Sequence, residues 1–170
     1  MLKKIKGMPI PVAVGILLLC AVLAVFLGNR SVLREAMEPV NSAMNDITRC
    51  TTDRAGKAKN MQTLLKRHLP DAPENAALAV AIEGLEKADT VQAIARADAA
   101  LTTAGEAARR ALTGVADAAN LQAAMDGLLG AGYQLLNATR VYNLAASAAQ
   151  AVYDQLPLSF LLGGRPEVYE

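Results

Sequence analysis

The sequence predicts an all-α protein: an N-terminal transmembrane helix followed by an antiparallel bundle of about four long helices. Three observations predict it. Ile10 to Leu27 is an uncharged, apolar run of 18 residues. Beyond residue 30 there is no sustained alternation of β-branched residues and no hairpin signal between such runs. From Asp71 to Asn120, 18 of 50 residues are Ala, the residue with the highest helix propensity.

The apolar run comes first. As a helix, 18 residues would span about 27 Å, close to the bilayer core of about 30 Å. Pro9 and Pro11 sit where a first turn tolerates a missing N–H, and Gly28-Asn29-Arg30 marks the expected far interface. Ile10, Val14, Leu18, Val22 and Phe26 are the anchor residues of this reading. Three leader readings compete with an uncleaved anchor. A signal peptide would cut after Val22-Leu23-Ala24, but the apolar run continues past that site. A lipoprotein signal would want small residues before Cys20, which follows Leu17-Leu18-Leu19. A pilin-type leader is hinted at by Lys6-Gly7, but lacks the acidic residue wanted shortly after the cut. The uncleaved anchor is favoured. Residues 1–9 are then a basic flank, 10–28 the span, 29–157 the bundle and 158–170 a tail. Lys3, Lys4 and Lys6 precede the span, against Arg30 and Arg34 after it, so by the positive-inside rule the N-terminus faces the cytoplasm.

The helices of the body follow in order. The first runs from about Ser31 to Leu69, with Val40, Ala43, Met44, Ile47, Met61, Leu64 and Leu65 at helical steps. Pro39 kinks it or ends a short linker. "LPDAPEN" breaks it, and Asp71-Ala-Pro-Glu74 reads as a capping box opening a second helix, to about Ala88. Asp89-Thr-Val-Gln92 repeats the cap signal and splits the second helix from the third, which runs to about Gly114. Its stripe is Ile94, Ala97, Leu101, Ala104, Ala108, Leu112 and Val115. Asn120 caps the fourth, which continues to about Leu156 before Pro157.

Net charge is +1, and without the three flanking lysines 14 basic residues face 16 acidic ones. That balance excludes the clustered basic face that nucleic acid needs. Cys20 and Cys50, 30 residues apart, would stand about 45 Å apart on a helix, too far for a disulfide. His68 is the only histidine. It rules out a multi-histidine metal site within one chain, and as a cation it suits a helix C-terminus. Neither a di-iron Glu-x-x-His pair nor a phosphate loop, CxxC or Gly-x-Ser-x-Gly occurs. No cofactor is expected. Asp46 and Asp53 share a face, with Arg49 and Arg54 within one turn, and read as a solvated or inter-subunit face rather than a catalytic pair. Five of the six aromatic rings (Tyr133, Tyr142, Tyr153, Phe160 and Tyr169) fall in the last 38 residues. Tyr142 and Tyr153 share one face of the last helix and read as packing that locks helix and tail together, with Phe160 and Tyr169 letting the tail fold back over the bundle.

Two stretches, "NDITRCTTDRAGKAKNMQTLLKR" (45–67) and "NLQAAMDGLLGAGYQLLNATRVYNLAASAAQAVYDQLP" (120–157), with a tail ending in "VYE", resemble the LemA family of membrane-anchored bacterial helical proteins. The resemblance aligns Asp46-Ile47 with that family's Asp-Ile pair, then Arg54, Asn60 and Lys66 with its arginine, mid-helix asparagine and late lysine. Asn120 falls on the residue opening its last helix and Leu121 on its usual Phe, with Leu128 and Leu135 on apolar core positions. Tyr142-Asn143 matches its Tyr-Asn motif, Pro157 the proline ending that helix, and Tyr169-Glu170 its aromatic-acid ending. Departures are Lys59 for a proline, Gly132 for a glutamate and Ala149-Gln150 for a second Tyr-Asn. The resemblance implies a single-pass protein of the bacterial inner membrane with no established enzymatic activity, and a part in shaping or organising membranes. The expected partners are membrane lipid, further copies of the chain and a membrane protein of unspecified identity. The alternative is a membrane-anchored sensory or peptide-binding module, disfavoured because only a short flank precedes the span.

Overall fold

The computed structural model describes residues 10–157, 159, 165 and 168. The basic flank with Lys3, Lys4, Lys6 and Pro9, and the tail residues Phe160, Tyr169 and Glu170, lie outside the described residues. Four helices make up the described chain: α1 (Ile10–His68), α2 (Pro73–Lys87), α3 (Val91–Leu112) and α4 (Ala118–Gln155). The fold is all-α, and α1 is long and apolar enough near its start to cross a membrane.

Anchor and first bundle helix are one element. The sequence puts the far membrane interface at Gly28-Asn29-Arg30, and α1 runs through it without interruption for 59 residues, about 88 Å at 1.5 Å per residue. The local preference of Gly and Asn against helix is about 1 kcal/mol at most, and packing against α4 outweighs it. Pro39 also stays inside α1. It is exposed, so the Glu35 carbonyl that loses its helical donor there can turn to water.

The residue pairs that meet define the topology. Arg54 reaches Leu128, Lys57 packs at Gly127, and Asn29 reaches Pro157. Numbers rise along α1 as they fall along α4, so the two are antiparallel over nearly the whole of α4. Gln62 bonds the Asn75 carbonyl and Lys59 pairs with Glu86, so α2 returns antiparallel to α1. Ile94 lies beside Met44 and Thr48, and further along both helices Asp98 and Thr102 meet Arg54, so α3 climbs parallel to α1. The order is up, down, up, down. The turn between α2 and α3 lies beside Met44 and Thr48. Above that level four helices enclose a core that includes Ile47, Met61, Leu65, Leu78, Leu85, Leu101 and Leu112, each completely buried. Below it only α1 and α4 pair. In their register Ala146 and Ala149 stand level with Val40 and Ala36, and both alanines are at most 1% exposed. Small side chains let two helix axes approach closely where no third helix covers them.

The helix ends differ from the sequence reading in a consistent way. Asp71 does not cap α2. The N-cap is Ala72, without a side-chain bond, because Pro73 starts the helix and needs no donor partner there. Asn75 takes over the junction, its amide donating to the carbonyls of Leu69 and Pro70. Thr90, not Asp89, caps α3, accepting from the Ala93 N–H at 3.1 Å. Asn120 is not the cap of α4; Asp117 is, its carboxylate accepting from the N–H groups of Ala119 and Asn120. Gly114, at φ 82°, ends the α3 run in the left-handed region that glycine adopts without strain. Val115 therefore leaves the expected stripe and is half exposed in the turn.

A chain starting at Asn29 keeps every core residue of the bundle. It should be soluble and strongly helical by circular dichroism; a coil spectrum would show that the bundle depends on the apolar segment or on lipid.

Candidate functional site: a buried arginine hub

Arg54 is the one charged side chain buried among the described residues, at 3% exposure. Its position follows from α1 periodicity. It stands seven residues from Ile47 and seven from Met61, both fully buried, so the helix carries it inward with them. The Nε–H donates to Asp98 Oδ1 of α3, one terminal N–H donates to the Leu128 carbonyl of α4, and the other donates to Thr102 Oγ1 at 2.7 Å. The Thr102 hydroxyl in turn donates a hydrogen bond to the Asp98 backbone carbonyl at 2.9 Å. A guanidinium offers five N–H donors in a rigid fork and suits several fixed acceptors. One side chain thus joins three helices.

Room for it comes from Gly132. A Cβ there would stand 2.8 Å from Arg54 Cζ and closer still to a terminal nitrogen. The Leu128 carbonyl accepts the guanidinium one turn earlier on the same helix. Gly105 on α3 plays a milder role, since a Cβ there would meet only the flexible end of Leu128 at 2.7 Å.

The other motif residues spread along the rod. Val14, Leu18 and Val22 are exposed on the apolar part of α1, which opens at Ile10, while Phe26 is half-buried. Asp46 is exposed and pairs with Arg49 at 3.2 Å. Asp53 pairs with Lys57 at 3.9 Å, so Arg54 is not part of the surface charge pairing that its neighbours suggest. Ile47 is in the core. Asn60 is exposed, and Lys66 is exposed in the last turn of α1 beside Arg67 and His68. Asn120 lies exposed at the head end of α4. Tyr142 and Asn143 are half-buried on α4, and Tyr142 packs against the core. Tyr153 is half-buried too, whereas Tyr133 is 72% exposed. Pro157 is exposed, but its carbonyl accepts from the Asn29 amide, which is 7% exposed. Sequence reading passed over Asp98, Thr102 and Asn29 as partners. The signal within reach was the seven-residue spacing that puts Arg54 in phase with core residues.

Two grooves flank α1. One, of about 360 Å³, runs between α1 and α4 and is lined by Asp46, Arg49, Cys50, Gln134, Asn137 and Val141 among others. Burial pushes the Cys50 thiol pKa up, Asp46 and Asp53 push the same way, and only Arg49 opposes them. The other, of about 270 Å³, lies against the α2–α3 turn. Thr51 lines it with a buried hydroxyl that has no partner. Among the described residues there is no group of three or more His, Cys, Asp or Glu with metal-binding geometry. Cys20 and Cys50 are both free thiols. No protein-family model and no curated protein matches the chain.

The hub makes a sign-changing prediction. Gly132→Ala gains helix propensity worth about 1 kcal/mol but drives a methyl into Arg54, an overpacking cost of about 1–3 kcal/mol. It should destabilise the natural chain in urea melts and stabilise an Arg54→Ala chain; the same sign in both backgrounds would show that the guanidinium does not occupy that space. Asp98→Ala should cost about 3–5 kcal/mol, because it strands a buried charge. For Cys50, in a Cys20→Ala background, alkylation should require a pH above that of an ordinary thiol. Arg49→Ala should raise the midpoint further, since it removes the one group favouring the thiolate; a downward move would contradict the assigned electrostatics.

Proposed function

We propose that this protein is a non-enzymatic, membrane-anchored helical bundle that associates with copies of itself and organises or shapes the bacterial inner membrane, or scaffolds partners on it. The observation that carries this reading is α1. Its first part exposes Val14, Leu17, Leu18 and Leu23, each at least half open. Its second part supplies Ile47, Ala55, Ala58, Met61 and Leu65 to the core. A row of exposed leucines and valines is unfavourable in water and favourable in hydrocarbon. One unbroken helix then joins the lipid-embedded part to the bundle.

The self-association arm draws on α4. Leu129, Tyr133, Leu136, Val141 and Leu144 are 42–73% exposed and lie on the side of α4 opposite its buried residues. They extend over about 22 Å. An apolar strip of this kind is more than scattered exposure and marks a contact surface. Copies tethered in one membrane meet at high local concentration, and symmetric homo-oligomers are the commonest assemblies.

The LemA resemblance supports the same reading. Ile47, Arg54 and Tyr142, three of its motif positions, lie in or against the core, and Pro157 ends α4 at the foot. Where that family has a glutamate this chain has Gly132 against the guanidinium, and Asp98 of α3 supplies the carboxylate. The three lysines before the span favour a cytoplasmic N-terminus and a bundle on the far side.

Extraction of the full chain in native membrane patches, followed by particle imaging, tests the function. Discrete rings, cages or clusters are the expected result, and a monodisperse monomer without effect on lipid shape would sink it. Leu136→Glu with Leu144→Glu should abolish the assemblies while leaving the helical signal unchanged.

A further inference from the structure

The apolar strip of α4 carries a cation in its middle. Arg140 follows Leu136 by four residues and precedes Leu144 by four, and it follows Tyr133 by seven, so the four share one face of the helix. Arg140 is exposed and enters no ion pair or hydrogen bond among the described residues. The groove between α1 and α4 opens beside this strip. Its α4 wall includes Gln134, Asn137 and Val141. These follow Tyr133, Leu136 and Arg140 in sequence and so lie about 100° round the helix from them. The α1 wall carries Asp46 and Arg49. Arg54 meets Leu128 and Asn29 meets Pro157, and the same register sets Asp46 at the height of residues 136–140. Asp46 and Arg140 are thus level with each other, on different faces of one copy.

We propose that the strip of one copy seats in the α1–α4 groove of the next, with Arg140 against the neighbour's Asp46. The proposal rests on the reading that copies of the chain self-associate, and it names the two surfaces that meet. Copies anchored through the continuous α1 stand at one height, so groups that are level within a chain are level between neighbours. Two strips placed face to face, about an axis along the membrane normal, would set Arg140 against Arg140, and like charges so placed are costly. In the groove the same cation meets a carboxylate. Asp46 already pairs with Arg49 at 3.2 Å, but both side chains are more than half exposed, so that pair is weak. A carboxylate offers about four acceptor positions, which leaves Asp46 room for a second guanidinium. The amide oxygens of Gln134 and Asn137 supply further acceptors on the facing wall. Leu136 and Tyr133 enter with the cation, and the small side chains of Ala43 and Ala138 leave space for them. Arginine and tyrosine are among the residues that most often dominate interface energy. A contact between two different surfaces does not stop at two copies; it continues to a ring where the rotation closes and to an open row where it does not. Strip and groove are not on opposite sides of the copy, so each added copy turns and the row curves.

Charge reversal in the full chain, imaged in native membrane patches, tests the contact. Arg140→Asp and Asp46→Arg, both at exposed positions, should each lower the assembled fraction at least about tenfold, because like charges then meet. The double variant should restore assembly. Co-expression of the two single variants should restore it too, since each strip then finds a complementary groove, and this rescue requires both variants to be folded. Assembly of Asp46→Arg at the level of the natural chain overturns the groove contact and leaves self-association standing. Loss in both single variants, with rescue in neither the double variant nor the mixture, does the same. An Arg140→Ala chain that assembles better than the natural one points to strips meeting face to face and also overturns the contact. A natural chain that stays monomeric in the membrane overturns both the contact and self-association.

Discussion

A charge buried in a helical bundle must be met on every side by fixed acceptors, and Arg54 imposes that condition on three helices at once. Its fork needs a carboxylate from α3, a hydroxyl one turn further along α3 and a backbone carbonyl from α4. A slip of α4 by one turn would take the Leu128 carbonyl out of reach and put a side chain where Gly132 leaves space. Apolar layers of alanine and leucine tolerate such slips, because one small residue resembles the next. The buried cation does not, since leaving its donors unmet costs more than the pairing itself contributes. Register in this alanine-rich bundle is set by a polar contact rather than by the shape of its core.

That register carries down to the foot. The same antiparallel alignment that brings Arg54 to Leu128 brings Asn29 to Pro157. Between the two, α1 and α4 run as a pair with Ala146 and Ala149 at the contact. The head packs four helices around one core, and the stalk is two helices thick. α2 and α3 stop at the level of Met44 because the chain from Ala88 to Thr90 turns there. The stalk's outer surface is left for other contacts.

Element type was legible in the sequence because it is local. Ile94, Leu101, Ala108 and Leu112 share a helical stripe on paper and are buried in the fold. Helix ends were legible to within a few residues, since Asp89 and Thr90 both qualify as caps and only backbone geometry decides between them. Two features were out of reach. The partner of Arg54 lies 44 residues away, and beside Asp53 and Lys57 it reads as one more solvated charge. The outward face of α4 was hidden as well. Leu128 and Leu129, or Leu135 and Leu136, are adjacent and chemically alike, yet the first of each pair is buried and the second exposed. A helix apolar on all sides does not declare its inner face. The continuity of α1 was left open at Pro39, which argues locally against helix, whereas the packed partner that keeps it helical acts at a distance.

An unbroken α1 behaves as a shaft. Every residue of helix advances the azimuth by about 100°, and no flexible joint between Leu27 and Val40 absorbs a change in that angle. The face that Val14 and Leu18 turn outward is therefore geared to the compass direction in which Tyr133 and Leu144 point from the bundle. Inserting or removing one residue in the stalk would rotate the head relative to the apolar end by that increment and tear Asn29 from Pro157. Lengthening α1 by a whole turn would preserve bearing but not height. The length of this stretch thus fixes an angle as well as a distance.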